Sequence, residues 1–166
     1  MRALSWLAAF AIVAPPAAAF DLGKYRELVA ALNAAGYSIP DSPPMTVDGA
    51  MILPKAFRDA LAEYLGHGFR GGEVEVSSSG TVSLRVVTAQ EHRFVAQFGC
   101  RKPGFEFGWR PAAYGEDFGA VAVETQDPSC ITDNDLPTGF MKWYVPATRA
   151  RDIPDMLMLL RGTFGP

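Results

Sequence analysis

Two histidines are the side chains of this chain best suited to acid–base chemistry near neutral pH. His67 lies in the glycine-rich run GHGFRGG, and His92 follows Glu91 in a predicted turn. Either histidine, oriented by a nearby carboxylate, would give the general base of a small hydrolase. No G-x-S-x-G nucleophile motif accompanies them. The competing interpretation is that the glycines make a sharp chain turn and that His92 is a solvated turn residue.

Clustered oxygen ligands suggest a second kind of chemistry. Asp127, Asp133 and Asp135 fall within DPSCITDNDLPTG, and carboxylates are the ligands that calcium prefers. The twelve-residue calcium-loop pattern with its closing glutamate is absent, and Pro137 interrupts the run. Calcium at these three aspartates is therefore an alternative to a simple acidic connection fixed by Cys130. The sequence predicts no other cofactor.

Cys100 and Cys130 are the two cysteines of the chain. An even cysteine count in an exported protein predicts a disulfide, because that compartment is oxidising. Closing this 31-residue loop would stabilise the fold by roughly 3–4 kcal/mol on the chain-entropy model. A reactive or metal-bound cysteine pair is the alternative, but no C-x-x-C spacing supports it.

The segment GCRKPGFEFGWRPAAYGEDFG, residues 99–119, combines aromatic, glycine and basic residues. Alternation places Phe105, Phe107 and Trp109 on one strand face, which favours a core strand. Tyrosine, tryptophan and arginine also carry much of the binding energy at interfaces, which favours a contact region over residues 101–118. The candidate binding residues are Arg101, Lys102, Phe107, Trp109, Arg110 and Tyr114. Core strand and binding surface both stay open at this point.

Three helices are predicted to position these segments. Asp21 caps a helix within residues 22–36, with Gly36 as its C-terminal stop. Pro54 precedes a helix that ends at Gly66, and a short apolar helix runs from Pro154 to Gly162. Residues 37–53 contain three prolines, which predict an irregular segment that crosses the surface of the domain.

Strands follow the second helix. Alternating runs at 73–77, 81–89, 93–100, 105–109, 119–126 and 140–146 predict about five or six strands. Val82, Leu84 and Val86 share one face, as do Phe94, Ala96 and Phe98, and residues 90–92 form a three-residue hairpin turn. Strands flanked by helices predict a single α+β domain with a mostly antiparallel sheet, packed by two N-terminal helices and a short C-terminal helix.

The first 19 residues, MRALSWLAAFAIVAPPAAA, read as a cleaved signal peptide. One basic residue precedes a twelve-residue apolar run, and Ala17 and Ala19 satisfy the small-residue rule for cleavage. The run is shorter than the ~20 residues of a permanent span. An uncleaved anchor or a buried N-terminal helix is the alternative. The expectation is a domain over residues 20–166, periplasmic or secreted, without a stable membrane span.

Charge argues against nucleic acid as a partner. The full chain has a net charge of −3, and removal of residues 1–19 leaves 14 basic and 18 acidic residues, a net charge of −4. The basic residues are scattered among acids rather than gathered in a stripe. The leading hypothesis is an exported binding or protein-interaction module. The alternative is the small hydrolase that uses His67 or His92.

Overall fold

The computed structural model describes residues 20–48, 50–66, 71–76, 82–87, 91–98, 104–111 and 117–164. The signal-peptide prediction at residues 1–19 lies outside this part of the chain. So do five residues of the predicted chemistry: His67, Cys100, Arg101, Lys102 and Tyr114.

The first helix, α1 (Leu22–Ala34), begins and ends as the sequence predicts. The Asp21 carboxylate accepts a hydrogen bond from the Lys24 backbone N–H at 3.0 Å, which satisfies one of the unpaired amides of the first turn. Gly36 follows the helix in the left-handed region, with a φ of 101°, as expected for a glycine stop. The helix buries one stripe, which consists of Tyr25, Leu28, Val29 and Leu32.

Helix α2 (Lys55–Gly66) confirms the second predicted helix, with Phe57, Leu61, Tyr64 and Leu65 buried on one face. A short helix, α3 (Ala147–Ala150), precedes α4 (Ile153–Phe164). The predicted stop at Gly162 is wrong, because α4 continues for two residues beyond it. The reason is tertiary: the Asp21 backbone N–H donates to the Thr163 carbonyl at 3.0 Å, so the start of α1 holds the end of α4.

Ten strands form three antiparallel sheets among the described residues. The five-stranded sheet has the order β3-β4-β5-β8-β9, the three-stranded sheet has the order β10-β7-β6, and β1 pairs with β2. Their bounds are β1 Met45–Val47, β2 Ala50–Ile52, β3 Gly71–Val76, β4 Val82–Val87, β5 Arg93–Gln97, β6 Phe105–Pro111, β7 Phe118–Thr125, β8 Ile131–Asp133, β9 Leu136–Pro137 and β10 Phe140–Pro146. The α+β class is confirmed. The expectation of one sheet with five or six strands is corrected to ten strands.

Two short hairpins account for most of the difference. The segment predicted to be irregular contains β1 and β2, whose register leaves only residues 48 and 49 between them. Asp48 takes a φ of 49°, which the Asp-Gly turn of a two-residue hairpin requires. The acidic connection contains β8 and β9, joined by Asn134 and Asp135 with φ of 47° and 69°. Asn and Asp tolerate the left-handed backbone conformation, so this segment forms a paired hairpin rather than an irregular loop.

The predicted turn at 90–92 lies in a hairpin of β4 and β5. Val87 is paired with Arg93, and residues 88–90 lie outside the described part of the chain, so the length of the turn stays a prediction. Glu91, inside it, has a φ of 66°. Leu84, Val86, Ala96 and Phe98 are buried as expected, and Phe94 is half-buried.

The core lies between the helices and the inner faces of the two larger sheets. Trp143 of β10 is fully buried, and its indole Nε1 donates to the Leu65 carbonyl at the end of α2, at 2.9 Å. Buried Trp groups need such a partner, since an unpaired donor would cost free energy. Burial raises the pKa of the Tyr25 phenol, and the nearby Asp41 carboxylate raises it further; its hydroxyl donates to the Ser42 carbonyl at 3.0 Å.

In the described residues, every helix is too short or too polar to cross a membrane.

Close approach of α3 to β7 gives a stability prediction. A Cβ on Gly119 would lie 2.3 Å from the Ala150 Cβ, whereas a Cβ on Gly108 would meet no atom within 4 Å. We expect Gly119→Ala to lower the free energy of unfolding by about 1–3 kcal/mol through overpacking. Gly108→Ala, in the neighbouring strand, is the matched control and should change it little. Urea unfolding measures both; equal stability of the two variants would contradict the packing, and Ala150→Gly should partly rescue Gly119→Ala.

Candidate functional site

Alternation along the three-stranded sheet separates its two faces. The inner face contributes Met141, Trp143 and Val145 from β10 and Val121 and Val123 from β7, all of them fully buried. The opposite surface, here called the outer face, is not covered by a helix in the described structure. It consists of Glu106, Gly108 and Arg110 of β6; Phe118, Ala120, Ala122 and Glu124 of β7; and Phe140, Lys142 and Tyr144 of β10.

The outer face is shaped as a shallow trough. Its centre is a floor of small residues, Gly108, Ala120 and Ala122, and larger side chains stand on the flanking strands. The concave space measures about 540 Å³, within the range of small-ligand sites. Its lining consists of Glu106, Phe107, Gly108, Trp109, Arg110, Pro111, Ala120, Ala122, Glu124, Phe140, Lys142 and Tyr144.

Exposed aromatic rings lie on this face. Phe118 is 49% exposed, Phe140 39% and Tyr144 46%, although side chains of this size are usually covered. The Lys142 ammonium lies 5.2 Å from the centre of the Tyr144 ring, which is a cation–π distance. This contact keeps the ring and the charge together on the β10 side of the trough.

Four charged side chains complete the outer face. Glu106 and Glu124 are directly opposite each other in the β6–β7 register, and Lys142 and Arg110 lie further along the strands. All four are exposed, and none of them forms an ion pair within 4.0 Å with another described residue. Since these charges are not neutralised by close ion pairs within the described fold, they are available to a ligand.

The predicted binding residues divide between the two faces. Phe107 and Trp109 are half-buried and pack against the core: Phe107 contacts Phe98 edge-on at 5.7 Å, and the Arg151 guanidinium lies 5.5 Å from the Trp109 ring. Arg110 is exposed on the outer face. Arg101, Lys102 and Tyr114 lie outside the described residues, so their placement stays a prediction.

Sequence reasoning missed the rest of the outer face. Glu106 lies in the predicted contact region without being a candidate binding residue, and Glu124, Phe140, Lys142 and Tyr144 belong to runs whose alternation predicts strands and nothing more. The signal was present in FMKWYVP, where a buried Met, Trp and Val alternate with Phe, Lys and Tyr. Pairing of three such strands was needed to join these residues, because β6 and β10 both pair with β7.

His92 and Asp133 form the second arrangement of chemical interest. The His92 Nδ1 lies 2.7 Å from the Asp133 Oδ2, and the imidazole stacks on the Phe94 ring at 5.8 Å. The other carboxylate oxygen of Asp133, Oδ1, is buried without a hydrogen-bond partner. A carboxylate bonded to Nδ1 fixes the ring orientation of a histidine, as in the general bases of hydrolases.

The surrounding contacts join the two hairpin turns. The Arg93 guanidinium is 2.6 Å from the Asp135 carboxylate, and Arg93 exchanges two hydrogen bonds with Asn134, one through its backbone N–H and one through its carbonyl. The His92–Asp133 pair therefore also has a structural role, which is to hold the β8–β9 turn against β5.

The three aspartates proposed for calcium are not brought together. Asp127 accepts hydrogen bonds from the Ser129 backbone and hydroxyl, while Asp133 contacts His92 and Asp135 contacts Arg93. Across the described ranges, no group of three or more acidic, histidine or cysteine side chains could hold a metal ion.

Cys130 lies at the end of a 3-10 turn, Pro128–Cys130, directly before β8, and its side chain is 1% exposed. It is bonded as a disulfide, and no free cysteine occurs in the described structure. Its predicted partner, Cys100, lies outside the described residues.

Comparisons with known proteins add no family: no family model matches this chain, and neither a curated protein nor a solved structure matches it.

Proposed function

We propose that this chain is an exported binding or protein-interaction module that holds its partner on the outer face of the β10-β7-β6 sheet. One observation carries the proposal: exposed aromatic rings, and charges that form no ion pair with another described residue, surround a floor of small residues. A fold without a partner there would gain nothing from exposing Phe118, Phe140 and Tyr144, and clustered exposed apolar area commonly marks an interaction site.

The chemistry of the walls supports binding more than catalysis. Tyr144 and Arg110 are of the residue types that dominate interface energetics, because they offer large contact area and several hydrogen bonds. Ala120 and Ala122 of the floor are rigidly held, since β7 is paired on both sides from Gly119 to Glu124. A rigid platform loses little entropy when it binds, which raises affinity for a given contact area.

The proposal includes export to the periplasm or the medium, because residues 1–19 have the pattern of a signal peptide. The proposal also includes a Cys100–Cys130 disulfide, since Cys100 is the other cysteine of the chain. Such a bond would fix the chain before β6 to the start of β8 and so restrain the edge strand of the outer face.

A second candidate function rests on the 2.7 Å contact between His92 Nδ1 and Asp133. In this alternative, Asp133 orients the ring and His92 acts as the general base of a small hydrolase through Nε2. The two functions occupy different surfaces and can be tested separately.

Blocking the trough tests the binding function. Gly108→Trp places a large ring on the floor, where a Cβ meets no atom within 4 Å, so the fold should tolerate it. A displayed peptide library is selected on the wild-type domain, and dissociation constants are measured by fluorescence anisotropy. We expect the selected peptides to bind Gly108→Trp at least about tenfold more weakly, at an unchanged melting temperature, because the floor is covered.

Met158→Trp is the matched control, because it adds the same ring at an exposed site on α4. Peptides that bind all three proteins equally, or a library that yields no binder, would contradict the binding function.

Paired substitutions test the disulfide. Cys100→Ala and Cys130→Ala should each lower the free energy of unfolding by roughly 3 kcal/mol, because each opens the same loop. The double variant should be no less stable than the weaker single variant. The exported protein should have the mass of residues 20–166 less two hydrogens. Additive losses, or a mass that shows two free thiols, would rule out the bond.

Carboxylate substitutions test the hydrolase. If His92 is a general base, Asp133→Asn should reduce hydrolysis of ester, peptide or glycan substrates by about 10²-fold or more, since proton transfer contributes that much. Asp135→Asn, two residues away in the same turn, is the control and should leave the rate unchanged. This alternative would be refuted if the wild-type protein showed no hydrolytic activity, or if both variants lost the same fraction of the hydrolysis rate.

A further inference from the structure

The register of the three-stranded sheet arranges the outer face in rows. Phe140, Glu124 and Glu106 form the first row, here called the acidic row. Lys142, Ala122 and Gly108 form the second, the lysine row. Tyr144, Ala120 and Arg110 form the third, the arginine row. Each row contains one residue from each strand, directly opposite its neighbours.

Charge changes sign along the strands. The acidic row has two carboxylates, while the next two rows have one cation each. Successive rows are two residues apart, so the acidic row lies about 7 Å from the lysine row and about 14 Å from the arginine row, at ~3.4 Å per residue. The outer face therefore presents negative charge at one end of the trough and positive charge at the other.

The acidic row contains an unfavourable pair. Like charges directly opposite in an antiparallel pair are destabilising, and Glu106 and Glu124 are in that position. In the described structure, no cation lies within 4.0 Å of either carboxylate. A positive group bound between them would remove the repulsion, and the adjacent Phe140 ring would add a cation–π contact.

We infer that the trough binds an extended peptide with a basic side chain at one position and an acidic side chain four residues away. This inference rests on the proposed binding function and specifies its ligand. Side chains i, i+2 and i+4 of an extended chain face the same side and span the same ~14 Å as the three rows. The basic residue lies on the acidic row and the acidic residue on the arginine row. The middle residue lies over Ala122 and Gly108, where the floor leaves space for an apolar side chain.

A second copy of this chain fits the outer face less well. Two strands of seven residues and one of eight, at ~4.8 Å spacing, cover roughly 360 Å². Stable protein–protein interfaces bury about 800 Å² on each partner. A short peptide needs far less area, and its charges can match the rows.

Two isomeric peptides test the spacing. Acetyl-Gly-Lys-Ser-Leu-Ser-Glu-Gly-amide has its charges four residues apart and on one side of an extended chain. Acetyl-Gly-Lys-Leu-Ser-Glu-Ser-Gly-amide has the same composition with charges three residues apart, on opposite sides. We expect the first peptide to bind about tenfold more tightly by fluorescence anisotropy, because exposed charge pairs contribute a factor of about two to five each. The preference should shrink in 0.5 M NaCl through screening.

Protein variants locate the two ends of the peptide. Glu106→Gln with Glu124→Gln should weaken the first peptide about tenfold but should not weaken a version in which Gln replaces its Lys. Arg110→Gln with Lys142→Gln should likewise weaken the first peptide about tenfold. This variant should not weaken a version of the peptide in which Gln replaces its Glu. Glu27→Gln, an exposed substitution on α1, is the matched control.

The outcomes separate this inference from the function on which it rests. If library peptides lose affinity for Gly108→Trp but the two isomers bind equally, the binding function stands and the charge spacing is wrong. If sedimentation shows a dimer that Gly108→Trp abolishes, the outer face belongs to a second copy and the inference is overturned. Tighter binding of the first isomer, lost in the acidic-row variant, supports it.

Discussion

The burial of Trp143 is the constraint on which the rest of this architecture depends. Its indole is enclosed between α2 and the three-stranded sheet, and its single donor is satisfied by the Leu65 carbonyl. Truncating a buried tryptophan costs about 3–5 kcal/mol, so the orientation of β10 is strongly fixed. Since a one-residue slip would reverse every side chain of the strand, the same constraint holds Lys142 and Tyr144 on the outside.

The positions of the edge strands β10 and β6 depend on the central strand β7. β7 pairs with β10 on one side and with β6 on the other, and its buried Val121 lies between Trp143 and Trp109 in the register. Gly119 lets β7 approach α3 closely, because any side chain there would contact Ala150. Ala120 and Ala122 of the outer floor and Gly119 of the inner side therefore belong to one central strand, which is paired on both sides.

The second sheet is organised by its turns. Asn134 and Asp135 adopt left-handed backbone conformations, and the hydrogen bonds of Arg93 hold this turn against β5. His92 and Asp133 take part in the same contact. The histidine and the carboxylate are 41 residues apart in sequence, so their contact depends on the pairing of β5 with β8. This explains why the sequence could suggest a histidine with a carboxylate but could not say which carboxylate.

Local signals were sufficient for the helices and the long strands. Asp21 and Gly36 bound α1 through capping and a left-handed stop, and period-two alternation identified β4, β5, β6, β7 and β10. The two hairpins at residues 45–52 and 131–137 were missed, because their strands are too short to show alternation and their turn residues were assigned to loops. The Asp-Gly pair at 48–49 was a usable signal.

What the sequence by itself determined is therefore the class of fold, the helices and the face of each long strand that enters the core, because these depend on the local spacing of apolar residues. It also determined that Phe105, Phe107 and Trp109 share one face, whereas Arg110, which the sequence places after the end of that strand, belongs to β6 in the structure. The tertiary structure alone decided which strands are neighbours, and so which exposed side chains form one surface. Strand order depends on contacts between residues far apart in the chain, and the joining of Glu106, Glu124, Lys142 and Tyr144 into one trough depends on that order.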